Sequence, residues 1–181
     1  MRLGNYEKAG EILHQVTQTN QAKLLDKWQT SQWYLWEGYL YYALLRTEGQ
    51  KNVAQLAPRY ATVQLPEFDA YTQLLAKDKQ GYQIQVLILK TFLLREIDKT
   101  LLSHHTKRLY MYNQRHLTNA IDTKTSNFFR MIANAAAVDF DSAKTLKRVN
   151  TMNDTLTSPD HFLERQELIP YHRLWKMIKI D

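Results

Sequence analysis

The scarcity of glycine and proline is the feature that most restricts the fold of this chain. Only 9 of its 181 residues are Gly or Pro, which is too few for the closely spaced turns of a β-sandwich or for glycine-rich phosphate loops. The chain also has no cysteine, which excludes a disulfide framework, thiolate metal ligation and a cysteine nucleophile. The composition therefore favours an all-α protein.

Hydrophobic periodicity predicts helices along nearly the whole chain. From Tyr6 to Val16, apolar residues recur at intervals of three and four, which places them on one face of a helix. Asn5 is expected to cap this helix, and Pro66 to occupy the first position of another. The same pattern predicts helices at 22–47, 51–63, 66–79, 82–103, 106–120, 123–138 and 140–151, with a last helix after Pro170. We expect a single domain over 1–181 that is built from stacked antiparallel helix pairs.

Two short segments resemble each other and suggest a repeat. Residues 4–12 (GNYEKAGEI) and 138–146 (VDFDSAKTL) each place a polar cap residue, Asn5 or Asp139, before an aromatic residue. In both segments an alanine follows three residues after the aromatic and an aliphatic three residues later. This spacing resembles the second helix of a tetratricopeptide hairpin. It predicts a tetratricopeptide-like right-handed superhelix with a concave surface, and ordinary capped amphipathic helices are the alternative.

A family resemblance rests on residues 128–144 (FFRMIANAAAVDFDSAK), with 5–13 (NYEKAGEIL) upstream and a long apolar helix before 99–102. These segments resemble the C-terminal helical-repeat domain of the Rgg/GadR/MutR transcriptional regulators. The resemblance implies a peptide-sensing, homodimeric domain of the quorum-sensing type in a Gram-positive cytoplasm. DNA would then bind only to a separate domain. Because the first helix resembles the second helix of a hairpin whose partner is missing, the chain is expected to be the C-terminal part of a longer protein or a shortened relative of one.

One helix predicts a peptide-binding row. Asn127 and Asn134 lie two helical turns apart, with Arg130 and Met131 between them on the same side. A side-chain amide can donate to and accept from a peptide backbone, and a thioether adapts to varied side chains. The alternative interpretation is that these polar groups face water or cap neighbouring helices.

The basic run 104–116 is a second candidate surface. Lysine and arginine exceed aspartate and glutamate by 24 − 18 = 6 over the chain, and this run is its most basic stretch. Arg108, Arg115 and Asn113 are predicted to receive a peptide carboxylate. The alternatives are a nucleic-acid surface that grips phosphates through Lys107 and Arg108, and a solvated helix face.

Aromatic residues concentrate in the second predicted helix, where seven of the chain's 21 lie within residues 28–42. One arc of this helix is expected to be core. The neighbouring arc, which carries Trp36, is predicted either to pack in the core or to line a ligand groove, with base stacking as a third interpretation.

Signatures of catalysis, metal binding and membrane insertion are missing from the sequence. It contains no His-Glu-x-x-His, Gly-x-Ser-x-Gly or glycine-rich phosphate motif, so we expect no catalytic residue, metal site or cofactor. The apolar stretch 84–94 is too short to span a membrane, and the N-terminus does not resemble a secretory signal. The predicted function is therefore non-enzymatic, cytoplasmic binding of a short peptide or protein segment. A basic nucleic-acid-binding protein and a general interaction scaffold remain the alternatives.

Overall fold

The fold is helical in all the parts of the chain that the structure, a computed structural model, describes. These are residues 1, 4–19, 24–47, 57, 60, 65–78, 81–117, 123–149, 156 and 167–178. Within them lie eight α-helices and no strand: α1 Tyr6–Gln18, α2 Lys27–Thr47, α3 Leu65–Thr72, α4 Tyr82–Ile97, α5 Lys99–Tyr112, α6 Thr123–Ala136, α7 Ser142–Val149 and α8 Tyr171–Met177. The all-α prediction is confirmed, and the tetratricopeptide-like superhelix stays a prediction.

The chain divides into two compact units, which we call unit 1 (residues 1–89) and unit 2 (residues 90–181). In unit 1, α1 and α3 pack against α2. Tyr34, Tyr39 and Tyr42 of α2 are completely buried, and the Tyr39 hydroxyl donates to the carbonyl oxygen of Gln85 at 2.9 Å. The aromatic helix is therefore core over much of its surface.

Capping side chains decide where the first two helices begin. The Asn5 side chain accepts a hydrogen bond from the Lys8 amide at 2.9 Å, as predicted. The predicted start of α2 at residue 22 is wrong, because Asp26 and Gln29 form a reciprocal capping box. The backbone N–H of Gln29 donates to Asp26 Oδ1 at 2.7 Å, and the backbone N–H of Asp26 donates to Gln29 Oε1 at 3.1 Å. Helix α2 consequently begins at Lys27.

Helix α3 is shorter than predicted. It begins at Leu65, so Pro66 is its second residue, and it ends at Thr72 rather than near residue 79. A 3₁₀ turn follows at Leu75–Lys77, where amides bond to carbonyls three residues earlier. Asp78 then accepts a hydrogen bond from the Tyr82 amide at 3.1 Å, which favours the start of α4. The predicted helix at 51–63 lies outside the described residues, apart from positions 57 and 60.

The predicted helix over 82–103 is in fact two helices that meet at Asp98. The Asp98 carboxylate accepts hydrogen bonds from the amides of Thr100 and Leu101 at 2.8 and 3.0 Å. An aspartate in this position is a strong N-cap because it satisfies amides that have no partner within the helix. Helix α5 therefore begins at Lys99, and the predicted helix start at residue 106 is wrong.

In unit 2, α5 and α6 pack as an antiparallel hairpin, and α7 packs on α6. The Tyr112 ring near the end of α5 lies 5.9 Å from that of Phe129 in α6. Lys99, at the start of α5, pairs with Asp139, just after α6, at 2.7 Å. The two helices therefore run in opposite directions.

A buried ion pair joins the start of α6 to the segment before α8. Lys124 Nζ lies 3.1 Å from Glu167 Oε1, and both side chains are almost inaccessible to solvent. Glu167 Oε2 also accepts the Tyr171 amide at 2.9 Å, and the Tyr171 ring stacks on Phe128 with centroids 4.3 Å apart. Two charges removed from water require such pairing and hydrogen bonding.

The second repeat segment does not fold like the first. Asp139 and Phe140 adopt left-handed backbone conformations, with φ of 53° and 57°, so Asp139 is not the predicted cap. Asp141 takes that role instead and accepts the Lys144 amide at 2.9 Å. Helix α7 accordingly covers Ser142–Val149, where the sequence predicted 140–151. The preceding helix, predicted over 123–138, covers Thr123–Ala136.

Candidate functional site

The predicted peptide row on α6 is only partly at the surface. The core-facing residues of this helix are buried: Lys124, Thr125, Phe128, Phe129, Met131, Ile132, Ala133 and Ala135. Asn127 and Asn134 are half-buried, and Arg130 is exposed. These three residues form what we call the α6 strip. Met131 is fully buried, so its thioether belongs to the core of unit 2 and not to the strip.

The predicted basic run forms the solvent face of α5. Residues spaced three or four apart lie on one side of a helix, and the exposed ones here are Leu101, His104, Arg108, Met111 and Arg115. The opposite side is buried through Leu102, His105 and Leu109. We call His104, Lys107, Arg108, Met111 and Arg115 the α5 basic face.

The cations of this face have no acidic partner among the described residues of their own hairpin. Residues 99–117 contain no Asp or Glu. Lys107, Arg108 and Arg115 are exposed and have no ion-pair partner among the described residues. At the opposite end of α5, Lys99 pairs with Asp139.

Asn113 has a structural role in the hairpin. It is buried at the start of a π-helical turn, Asn113–Leu117, and its Oδ1 accepts a hydrogen bond from the Ser126 hydroxyl at 3.0 Å. This bond braces α5 against α6. Of the three residues predicted to receive a carboxylate, Arg108 and Arg115 are therefore at the surface and Asn113 is not.

The net charge of the chain is concentrated in unit 2. Residues 1–89 contain 9 Lys or Arg and 8 Asp or Glu, a formal +1, while residues 90–181 contain 15 and 10, a formal +5. The positive charge of unit 2 also affects the pKa of His172 in α8. Burial lowers the pKa of His172, and the cations of Arg173, Lys124 and Lys176 lower this pKa further.

Trp36 belongs to unit 1, so the predicted site residues do not all lie in one unit. Its ring packs edge-on against Trp33, with centroids 5.0 Å apart. The indole is half-buried, and its buried Nε1 has no hydrogen-bond acceptor among the described residues. This position is consistent with either of the two leading interpretations of the aromatic arc.

Sequence reasoning missed a cleft in unit 1. The unit 1 cleft has a volume of about 360 Å³ and lies between the start of α2 and the end of α3. Its lining comprises Leu25, Lys27, Thr30, Ser31, Ala70, Tyr71, Gln73 and Leu74. The two lining segments are about 40 residues apart in the chain, and neither carries a recognisable motif, so no sequence signal could have joined them.

The described ranges contain neither a metal-binding cluster nor a membrane-spanning helix. No group of three or more His, Asp or Glu side chains there could hold a metal ion. None of the helices found there is both long and apolar enough to cross a membrane.

No protein-family model, curated protein or solved structure matches the chain. The resemblance to the Rgg/GadR/MutR regulators therefore stays a prediction from the sequence.

Proposed function

We propose that this chain is a non-enzymatic binding domain that holds a short acidic peptide, or an acidic segment of another protein, on the α5–α6 hairpin. One observation carries the proposal. Arg108, Arg115 and Arg130 are exposed on the hairpin with no ion-pair partner among the described residues. A guanidinium presents a planar fork of donors that matches a carboxylate, and such charge-assisted hydrogen bonds are the strong ones.

Exposed apolar side chains among the cations favour a protein ligand. Leu101, Tyr110 and Met111 are 46%, 53% and 47% exposed. Tyrosine, methionine and arginine are the residue types enriched where protein surfaces meet. A helix face that only interacts with water would gain nothing from these apolar groups, so we expect the ligand to carry aliphatic or aromatic residues beside its carboxylates.

The hairpin contacts suggest how the two surfaces cooperate. Asn113 of α5 meets Ser126 of α6, and each further residue rotates by about 100° around its helix. On this geometry, Tyr110 flanks Asn113 on α5 and Arg130 flanks Ser126 on α6. We infer that Tyr110 and Arg130 lie on the same side of the hairpin. A peptide along that side would contact the α6 strip and Tyr110 directly. By the same rotation, Arg108 and Arg115 lie farther around α5, roughly 140–160° from Asn113, so carboxylates of the peptide would have to extend around α5 to reach their guanidinium groups.

The cellular role that we propose follows from the family resemblance. Peptide binding would regulate a homodimeric bacterial transcription factor in the cytoplasm, with DNA bound by a separate domain. The hairpin surface supports this role because it offers the half-buried amide of Asn134 and exposed guanidinium groups, which are donors for a peptide backbone and its carboxylates.

The test is a fluorescence anisotropy titration with a labelled peptide of alternating glutamate and leucine. A Glu-to-Lys peptide and a Leu-to-Ser peptide serve as ligand controls. We expect Arg108→Glu/Arg115→Glu to weaken binding more than tenfold and Asn127→Ala/Asn134→Ala to weaken it less. Lys8→Glu on α1 is the matched control and should bind normally. Equal binding of the lysine peptide, or no binding by the wild-type chain, would overturn the proposal.

A second candidate function, nucleic-acid binding, is favoured by the +5 charge of unit 2 and by Tyr110 beside Lys107 and Arg108. It predicts an affinity that falls steeply as salt is raised. The check is anisotropy with labelled duplex DNA and single-stranded RNA at low salt, using Lys107→Glu/Arg108→Glu. Absence of binding at low salt would eliminate this candidate.

A further inference from the structure

The unit 1 cleft has the dimensions and lining of a ligand site, although the proposed function does not use it. Its volume of about 360 Å³ falls within the range of about 300–1,000 Å³ that is typical of small-molecule pockets. Such pockets are largely apolar, with a few polar groups that orient the ligand. Half of the residues that line this cleft are apolar and half are polar.

The apolar part of the lining is held rigidly. The Tyr71 ring is partly exposed and stacks on the buried Tyr34 ring, with centroids 4.4 Å apart and planes 23° apart. Leu25, Ala70 and Leu74 add aliphatic surface. Because stacking on Tyr34 restricts the Tyr71 ring, a ligand can contact this ring with little further loss of side-chain conformational entropy.

Exposed apolar residues also occur in the cleft and beside its lining residues in the sequence. The described residues of unit 1 include four large apolar side chains that are exposed, namely Ile12, Leu24, Trp28 and Tyr71. Tyr71 lines the cleft, while Leu24 and Trp28 flank its Leu25 and Lys27 in the sequence. Leu24 is 84% exposed, so its side chain contributes little to packing within the unit. Clustered apolar exposure of this kind marks binding sites.

The polar part of the lining selects for an anion. Lys27 is the single charged residue among the described lining residues, and no described residue pairs with its ammonium group. The hydroxyls of Thr30 and Ser31 already donate to helix carbonyls at 2.8 and 2.9 Å. The ammonium group is therefore the strongest donor that remains for a ligand.

We propose that the unit 1 cleft binds a compact apolar carboxylate, with the carboxylate on Lys27 and the apolar body against Tyr71 and Leu74. Two sources share this chemistry. One is a free aryl or branched-chain acid, and the other is the C-terminal residue of a peptide. Neither source requires the α5–α6 hairpin, so this site can fail or succeed independently of the proposed function.

The experiment is an NMR titration of the full chain that follows backbone amide shifts. Phenylacetate is the first probe, and benzylamine is its cationic control. A short peptide that ends in phenylalanine, with a free or an amidated C-terminus, tests the second source. We expect shifts at residues 25–31 and 70–74 with phenylacetate, with the free-acid peptide, or with both, and the responding probe identifies the source.

Two substitutions of the same residue decide whether Lys27 is the anion partner. Lys27→Met should weaken carboxylate binding about tenfold, as expected for the loss of a charge-assisted hydrogen bond, and Lys27→Glu should shift the preference to benzylamine. Lys8→Met on α1 is the matched control and should bind as wild type. The proposal is overturned if neither acid shifts these amides, if benzylamine binds the wild type equally well, or if Lys27→Met binds unchanged.

Discussion

Unit 1 and unit 2 are both helical, but they differ in what they bury and in what they expose. Unit 1 has a core rich in tyrosine and an almost balanced charge, and one of its exposed apolar residues, Tyr71, lines a cleft with one lysine. Unit 2 encloses an ion pair and carries a formal +5, and Leu101, Tyr110 and Met111 are exposed on α5 together with its cations. The excess of basic residues is thus a property of residues 90–181. We therefore expect acidic macromolecules to bind there and small apolar anions to bind in unit 1.

The largest predicted effect concerns the buried pair of unit 2. Lys124→Met leaves the Glu167 carboxylate buried without its partner, which should lower the free energy of unfolding by about 3–5 kcal/mol. Urea denaturation measures this loss. Lys144→Met is the matched control because its pair with Asp141 is exposed, and it should cost less than about 1 kcal/mol. A loss of that small size for Lys124→Met would mean that the pair is not isolated from water.

The next largest effect tests the packing of unit 1. A Cβ added at Gly38 would lie 2.5 Å from a side-chain atom of Leu89 and 2.5 Å from one of Tyr60. Gly38→Ala should therefore destabilise the protein by about 1–3 kcal/mol, despite the better helix propensity of alanine. Thermal unfolding measures the change, with Ser103→Ala on the exposed side of α5 as the reference. If Gly38→Ala were more stable than wild type, the side chains of Leu89 and Tyr60 would have to move readily to accommodate the added methyl group.

A smaller effect distinguishes the two repeat segments. Asn5→Ala and Asp141→Ala should each cost about 1 kcal/mol, because both residues are N-caps. Asp139→Gly should change the free energy of unfolding by less than about 0.5 kcal/mol. It removes the backbone strain of a residue with positive φ and loses only the exposed ion pair with Lys99. Chemical denaturation compares the three variants. If Asp139→Gly cost as much as Asn5→Ala, the two segments would be equivalent after all.

The smallest effect is the pH dependence that His172 adds to unit 2. Because its pKa is lowered in the folded state, the folded protein binds fewer protons than the unfolded chain once the pH drops below the ordinary histidine value of 6.5. The contribution of His172 to stability is thus intact above that pH and decreases below it. Urea midpoints at neutral and mildly acidic pH should show a smaller loss for His172→Gln than for wild type. An equal loss would assign the pH dependence to other groups.

Sequence reasoning predicted the elements whose signals are local. Asn5 and the periodicity after it predicted α1, and the pattern from residue 123 predicted α6 to within two residues at its end. The break at Asp98 was missed because apolar residues continue in register across it, although an aspartate is itself a capping signal. The shift from Asp139 to Asp141 was missed because two residues with positive φ cannot be inferred from a spacing rule.

The candidate site was predictable in part for similar reasons. Arg108, Arg115 and Arg130 are exposed as the helical pattern suggested, because long charged side chains rarely bury without a partner. Met131 follows Arg130 directly, and a rotation of about 100° per residue turns it into the core. Asn113 is withdrawn from the surface by its bond to Ser126, and the unit 1 cleft depends on packing between segments that are distant in sequence. Such tertiary contacts leave no periodic signal.

The most direct test of the proposed function is to map, by NMR, where the acidic glutamate–leucine peptide binds on the full chain. We predict shifts at residues 101–115 and 127–134 that weaken as salt is raised and that disappear in Arg108→Glu/Arg115→Glu. Residues 25–31 and 70–74 should not respond beyond the effect of the peptide's own C-terminus, which an amidated peptide removes. Shifts of the amidated peptide that map to unit 1, or that survive the charge reversal, would contradict acidic-peptide binding on the α5–α6 hairpin.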